Sequence, residues 1–237
     1  MNGSLPTGVR DLLELLEEAE LLLRKGNASQ AGVRAYARFI ADDLATFRLS
    51  LSDNPERYDE SREGVDSERP RGVRHFPAAL GRLGSAEAAA HLGGRLERLG
   101  KRFPWSSFYG SDEWTRPFLE EIAALKLLGP GSPVPSARMA AGIFLMGPGV
   151  HYPLHAHAAE ELYLILAGEI GFRSGPGDAW RDSSPGEIIL HRSQEPHEMK
   201  SGPASLALYV WEGAIFEPSW YKSDIGSPEE PPKYPEM

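Results

Sequence analysis

The 237-residue chain contains no cysteine. That excludes disulfides, thiolate metal sites and cysteine nucleophiles, so any metal must rest on imidazole and carboxylate. Such a donor set suits Fe, Mn, Ni, Zn or Cu. Long apolar runs are missing too, and no stretch reads as a bilayer span. The opening MNGSLPTGVRDLLELLEEAELLLRK lacks the basic start, apolar block and cleavage site of a secretory signal. Cytoplasm is therefore the expected location. There is no basic stripe: 25 Lys and Arg stand against 34 Asp and Glu, a net charge of −9. This argues against nucleic acid or an anionic membrane as partner and reads as a solubility device.

What is present divides in two. After Thr7, Leu12, Leu15, Leu16, Ala19, Leu22 and Leu23 recur at helical spacing, and Gly26-Asn27 supplies a stop. A second stripe, starting near Ser29, runs Val33, Tyr36, Ala37, Ile40, Leu44, Phe47 and Leu51. Both read as packing faces. Residues 53–74 are charged and aperiodic, a long exposed loop of the kind that can serve as a lid. Helices are expected over 85–99 and over 112–128, the latter with Pro117 in its first turn or so. Gly129-Pro130-Gly131 closes the helical part. From Ala137 the texture becomes short β-type runs, ARMAAGIFLM, ELYLILAGEIGFR, EIILH and SLALYVWEG, parted by Gly and Pro. That pattern predicts a small barrel or sandwich. The expected class is α+β: residues 1–130 mainly helical and lending a strand or two, 131–221 the barrel in the same folded unit, 222–237 a Pro-rich tail.

Five of the seven histidines fall between 151 and 197. From Gly149 to Gly168 the spacing is G-x5-H-x-H-x3-E-x6-G, carried by His155, His157 and Glu161. Histidines two apart on a strand share a face, and Glu161 and Tyr163 keep that parity. A further ligand must come from a distant strand, and Pro185-Gly186 followed by Pro196-His197 supplies it. His191 is the competitor for that place, and His197 is favoured on motif grounds. Glu160 reads as solvated or paired with a cation. His151 shares the parity of the pair and reads as a pocket, packing or solvent-exposed residue.

The first segment resembles the first cupin motif at every fixed position. The second resembles the later part of the second cupin motif, with Ser201 near the place of an expected Asn. The resemblance implies a helical N-terminal half packed on a C-terminal cupin. It also implies one divalent transition metal, Fe(II) or Mn(II) favoured over Zn or Ni, held by His155, His157, Glu161 and His197. Cupins often pair, so a homodimer is expected.

The run HYPLHAHAAEELY, with Tyr152 and Tyr163, is similar to the cupin-type dimethylsulfoniopropionate lyases of marine bacteria. That resemblance implies β-elimination to acrylate and dimethyl sulfide, with Tyr163 as base and Tyr152 assisting. Trp180, Trp211, Trp220 and Tyr221 are candidates to meet the sulfonium cation. The rival readings are another cupin enzyme for a small carboxylate, whether oxygenase, isomerase or lyase, and a non-catalytic binding module.

Overall fold

The computed structural model describes residues 5–64, 69–84, 87–107, 113, 115–175, 177–217 and 219–221. Helix α1 (Thr7–Lys25) buries Val9, Leu12, Leu15, Leu16, Ala19 and Leu23, the stripe that i, i+3, i+4 spacing places on one face. It packs against α2 (Ala31–Asp53) and α4 (Glu87–Arg102). Ion pairs border these contacts: Arg48 with Glu20 at 2.6 Å, Arg95 with Glu18 at 2.5 Å, and Arg98 with Asp11 at 2.8 Å. Beyond α1 the backbone of Asn27 exchanges hydrogen bonds with Gly186 and Ile188, both at 2.8 Å. The helical part is thereby tied directly to the strands.

The charged stretch after α2 forms short 3-10 turns at Pro55–Arg57, Glu60–Arg62 and Arg71–His75, with residues 65–68 outside the described set. Tyr58 is buried against Phe103, and the Asp59 amide donates to Pro133 O at 2.8 Å. The described part of this stretch is thus anchored to the body of the protein. The short helix α3 (Phe76–Leu80) follows.

The helix expected over 112–128 is corrected. Among the described residues there, only α5 (Arg116–Leu119) is helical, with Pro117 in its first turn, and Ile122–Leu128 is strand β2. Its run IAALKLL is apolar on both sides, a pattern shared by a buried strand and a buried helix segment. The helix propensity of Ala and Leu is a weak prior that tertiary context overrides. Here the context is an antiparallel ladder with β3 (Met139–Met146) on one edge and β1 (Trp105–Ser106) on the other. Leu125 and Leu127 face the helices, whereas Ile122 and Ala124 face the barrel interior.

The remaining strands are β4 (His151–Ala156), β5 (Glu160–Ala167), β6 (Ile170–Arg173), β7 (Arg181–Ser183), β8 (Ile188–His191), β9 (His197–Ser201), β10 (Ser205–Glu212) and β11 (Trp220–Tyr221). They form two antiparallel sheets, ordered β1-β2-β3-β10-β5-β8 and β11-β4-β9-β6-β7. Between β3 and β10 the chain crosses repeatedly from one sheet to the other. The two interleaved quartets, β3-β10-β5-β8 and β4-β9-β6-β7, are the jelly roll of the cupin fold. The first sheet packs its outer face on the helices through Leu162, Leu164, Leu206 and Leu208. Its inner face and that of the second sheet enclose a second core containing Phe144, Tyr163, Phe172, Met199 and Tyr209. No helix among the described residues is long and apolar enough to cross a membrane.

Candidate metal centre

The site is assembled by strand alternation. On β5, Glu161, Tyr163 and Ile165 turn inward, and Leu162 and Leu164 turn to the helices. Both fixed glycines of the motif lie in left-handed backbone, Gly149 at φ 69° and Gly168 at φ 75°, where a side chain would be strained. Tyr152 and His155 are three apart on β4, so simple alternation would send them to opposite faces. The ladder with β9 shifts between them: Tyr152 faces Met199, and His155 faces His197. This irregularity turns both inward. Their rings stack at 4.3 Å.

His155, His157 and His197 come together. Each Nδ1 meets a backbone carbonyl at 2.9 Å, that of Pro153, Ala159 and Glu195 respectively. A carbonyl only accepts, so each Nδ1 carries the hydrogen and each Nε2 keeps its lone pair. The three ligand nitrogens lie within 4.8 Å of one another, on buried side chains. Glu161 completes the group, with Oε2 at 3.0 Å from His157 Nε2 and 3.4 Å from His197 Nε2. Its Oε1 accepts from Trp211 Nε1 at 2.5 Å.

The electrostatics decide what this arrangement suits. A carboxylate oxygen and an imidazole lone pair repel at 3.0 Å unless a proton or a cation lies between them. Burial, then the charges of His197 and His157, push His155 well below the usual imidazole range, which disfavours protonation at this centre. Burial alone would raise Glu161, but His157 and His197 outweigh it and hold the carboxyl well below its ordinary value. Glu161 is therefore an anion. Three imidazoles with their Nδ1 atoms on backbone carbonyls and one carboxylate, with His197 Nε2 buried and without a hydrogen-bond partner, fit a divalent transition metal.

The other expected residues separate clearly. His191 ends β8, pairs with Glu161 across the ladder and stacks on His197 at 3.8 Å and 7°. Its ligand nitrogens lie outside the group of three. Tyr163 is buried among Phe144, Phe172 and His191, at 5.8, 5.8 and 6.2 Å between ring centroids. Glu160 pairs with Arg192 at 3.1 Å, as a solvated partner of a cation should. His151 and Trp180 lie on the outer face of the second sheet. There His151 meets Glu198 at 2.6 Å, and the Trp180 ring carries Arg173 and Lys200 at 4.5 and 4.7 Å. Trp180 is thus occupied by the protein's own cations. The side chains of Trp220 and Tyr221 and residues 222–237 lie outside the described residues. Tyr209 was not anticipated. It pairs with Tyr163 across β10 and β5 and faces the interior, where burial and then Glu161 raise its pKa.

A family model for dimethylsulfoniopropionate lyase matches residues 51–208, two thirds of the chain. The chain belongs to this family. DddL of Cereibacter sphaeroides, provisionally assigned as a dimethylsulfoniopropionate lyase, is 30% identical over 216 residues, 86% of this chain and 83% of that protein. The dimethylsulfoniopropionate lyase DddQ of Ruegeria pomeroyi is 36% identical over 112 residues, 47% of this chain and 55% of its own length. A crystal structure of that DddQ aligns with TM-score 0.59 and 25% identity, over 78% of this chain and 96% of that one. A chain from the crystal structures of the lyases RdDddP and RnDddQII aligns with TM-score 0.59 at 20% identity, over 88% and 95%, and supports the fold. The family match spans His155 to His197 and stops one residue short of Tyr209.

One departure from the cupin pattern has a structural answer within this family member. Ser201, near the place of the expected Asn, donates to Gly147 O at 2.5 Å and accepts from the Val150 amide at 3.0 Å. It clasps the turn that delivers β4 to the site. Ser201→Ala should lower stability by about 1–3 kcal/mol, because a buried carbonyl and amide lose their partner. Denaturant titration reads this as a lower midpoint, with metal stoichiometry unchanged.

Proposed function

We propose that this protein is a metal-dependent carbon–sulfur lyase that cleaves dimethylsulfoniopropionate to dimethyl sulfide and acrylate. The observation that carries the reading is the convergence of His155, His157, His197 and Glu161 inside the barrel, with Tyr163 on the same inner face. These four side chains would hold one divalent transition ion, with Fe(II) or Mn(II) our expectation among the metals that imidazole and carboxylate accept. Such an ion would supply Lewis-acid stabilisation of the negative charge that builds up beside the substrate carboxylate.

The chain's own residues do the rest. Tyr163 Oη takes the proton from the carbon next to the carboxylate. That electron pair forms the carbon–carbon double bond, the carbon–sulfur bond breaks, and sulfur leaves with its pair as neutral dimethyl sulfide. A phenol of pKa about 10 is a weak base at neutral pH and burial disfavours its ionised form, so the charge of a dication held by the four ligands would have to outweigh burial. Tyr152 covers the His155 side and orients the substrate. Trp211 fixes the Glu161 carboxylate. Phe144, Phe172 and Tyr209 make the interior around Tyr163 aromatic.

The test is a headspace assay. Metal-loaded protein and dimethylsulfoniopropionate should release dimethyl sulfide and acrylate in equal amounts without consuming oxygen. Chelation should abolish release, and Fe(II) or Mn(II) should restore it. Absence of dimethyl sulfide under Fe, Mn, Ni and Zn loading would overturn the reading.

A further inference from the structure

Successive aromatic contacts link His155 of the metal centre to a cavity at the surface. Tyr152 stacks on His155, and Phe118 of α5 lies beyond it, with ring centroids 5.3 Å apart. Phe118 also lines a surface cavity of about 350 Å³, together with Pro117, Glu121, Pro148, Val150 and Pro153. Phe118, buried at 7% exposure, therefore contacts Tyr152 and also borders that cavity. The frame around it is fixed. The Gly147 amide donates to Glu121 O at 2.8 Å, the Gly149 amide to Gly202 O at 3.0 Å, and Ser201 clasps Gly147 and Val150.

We propose that Phe118 is a specificity-determining residue: its ring closes the sulfonium end of the substrate site and limits the alkyl groups that sulfur can carry. The proposal rests on the lyase reading above. With the substrate carboxylate at the metal centre, the cationic end must lie against some part of the wall. The Tyr152–Phe118 row offers it aromatic surface leading outward from His155. Charge does not make the selection at this wall. Glu121 is the carboxylate of the cavity, and its two oxygens are taken by Arg74 and by His75, the latter at 2.7 Å. A methyl or ethyl substituent is thus distinguished by the room left beside Phe118. Removing the ring would join that space to the cavity.

The test compares kcat/KM for dimethylsulfoniopropionate and its diethylsulfonio analogue in the metal-loaded native protein and in Phe118→Ala, Phe118→Leu and Phe118→Trp. The diethyl-to-dimethyl ratio should rise by about tenfold or more in Phe118→Ala, the scale on which a hydrophobic pocket discriminates a methylene. It should rise less in Phe118→Leu and not at all in Phe118→Trp. Calorimetry with the inert trimethylammonium and triethylammonium analogues provides a second readout, in which the Kd ratio should move the same way. Phe118→Leu carries the test if Phe118→Ala does not fold. Ratios that stay flat while the native protein releases dimethyl sulfide overturn the role of Phe118 alone. A native protein that releases none overturns the lyase reading itself.

Discussion

Tyr163→Phe is expected to lower dimethyl sulfide release by about 10²–10⁴-fold, the usual contribution of a positioned general base. The substitution removes one oxygen and keeps the ring that packs against Phe144 and Phe172. Thermal stability and bound metal should therefore stay close to those of the native protein. A fall in kcat with intact metal content isolates the hydroxyl's chemical role from any structural one. Substrate deuterated at the carbon beside the carboxylate should slow the native enzyme if proton removal limits the rate. A Tyr163→Phe protein that keeps its native rate would exclude this hydroxyl as the base. Tyr152 and Tyr209, buried in the same interior, would then be the phenols to substitute.

The grouping of His155, His157 and Glu161 was legible in the G-x5-H-x-H-x3-E spacing and in the two-residue period of a strand. That period keeps Glu161 and Tyr163 in step on β5, whereas His157 lies one residue beyond the end of β4. Glycines at fixed positions marked turns that do require left-handed backbone. What the residues could not disclose depended on pairing between distant strands. Tyr152 has the wrong parity for His155 until the β4–β9 irregularity is known. Trp211 fastens Glu161, and Tyr209 faces Tyr163, only because β10 lies beside β5. Trp180 and Trp211 look equivalent in sequence, yet one lies under Arg173 and Lys200 outside the barrel and the other within it. The stretch 122–128 failed for a different reason: Ala and Leu favour a helix locally, and the β-ladder outweighs that preference.

His197→Ala and His191→Phe should separate two histidines whose rings lie in parallel contact. His197 has its Nδ1 on the Glu195 carbonyl and shares the group of ligand nitrogens with His155 and His157. Removing it leaves two imidazoles and a carboxylate, so metal affinity should fall by more than about 100-fold, beyond what losing an outer-shell partner costs. Gas release should fall with it. His191 lacks that placement. Its contact with His197 is a stacked ring, which Phe reproduces, so His191→Phe should retain one metal per chain and a native-like affinity. Competition against a chelating dye measures both without relying on turnover. If His191→Phe loses its metal and His197→Ala keeps it, the ligand assignment is reversed, and β8 closes the site in place of β9. The two outcomes are sharply different because the rings are neighbours: general loosening of the barrel would weaken both variants alike, whereas a ligand role singles out one.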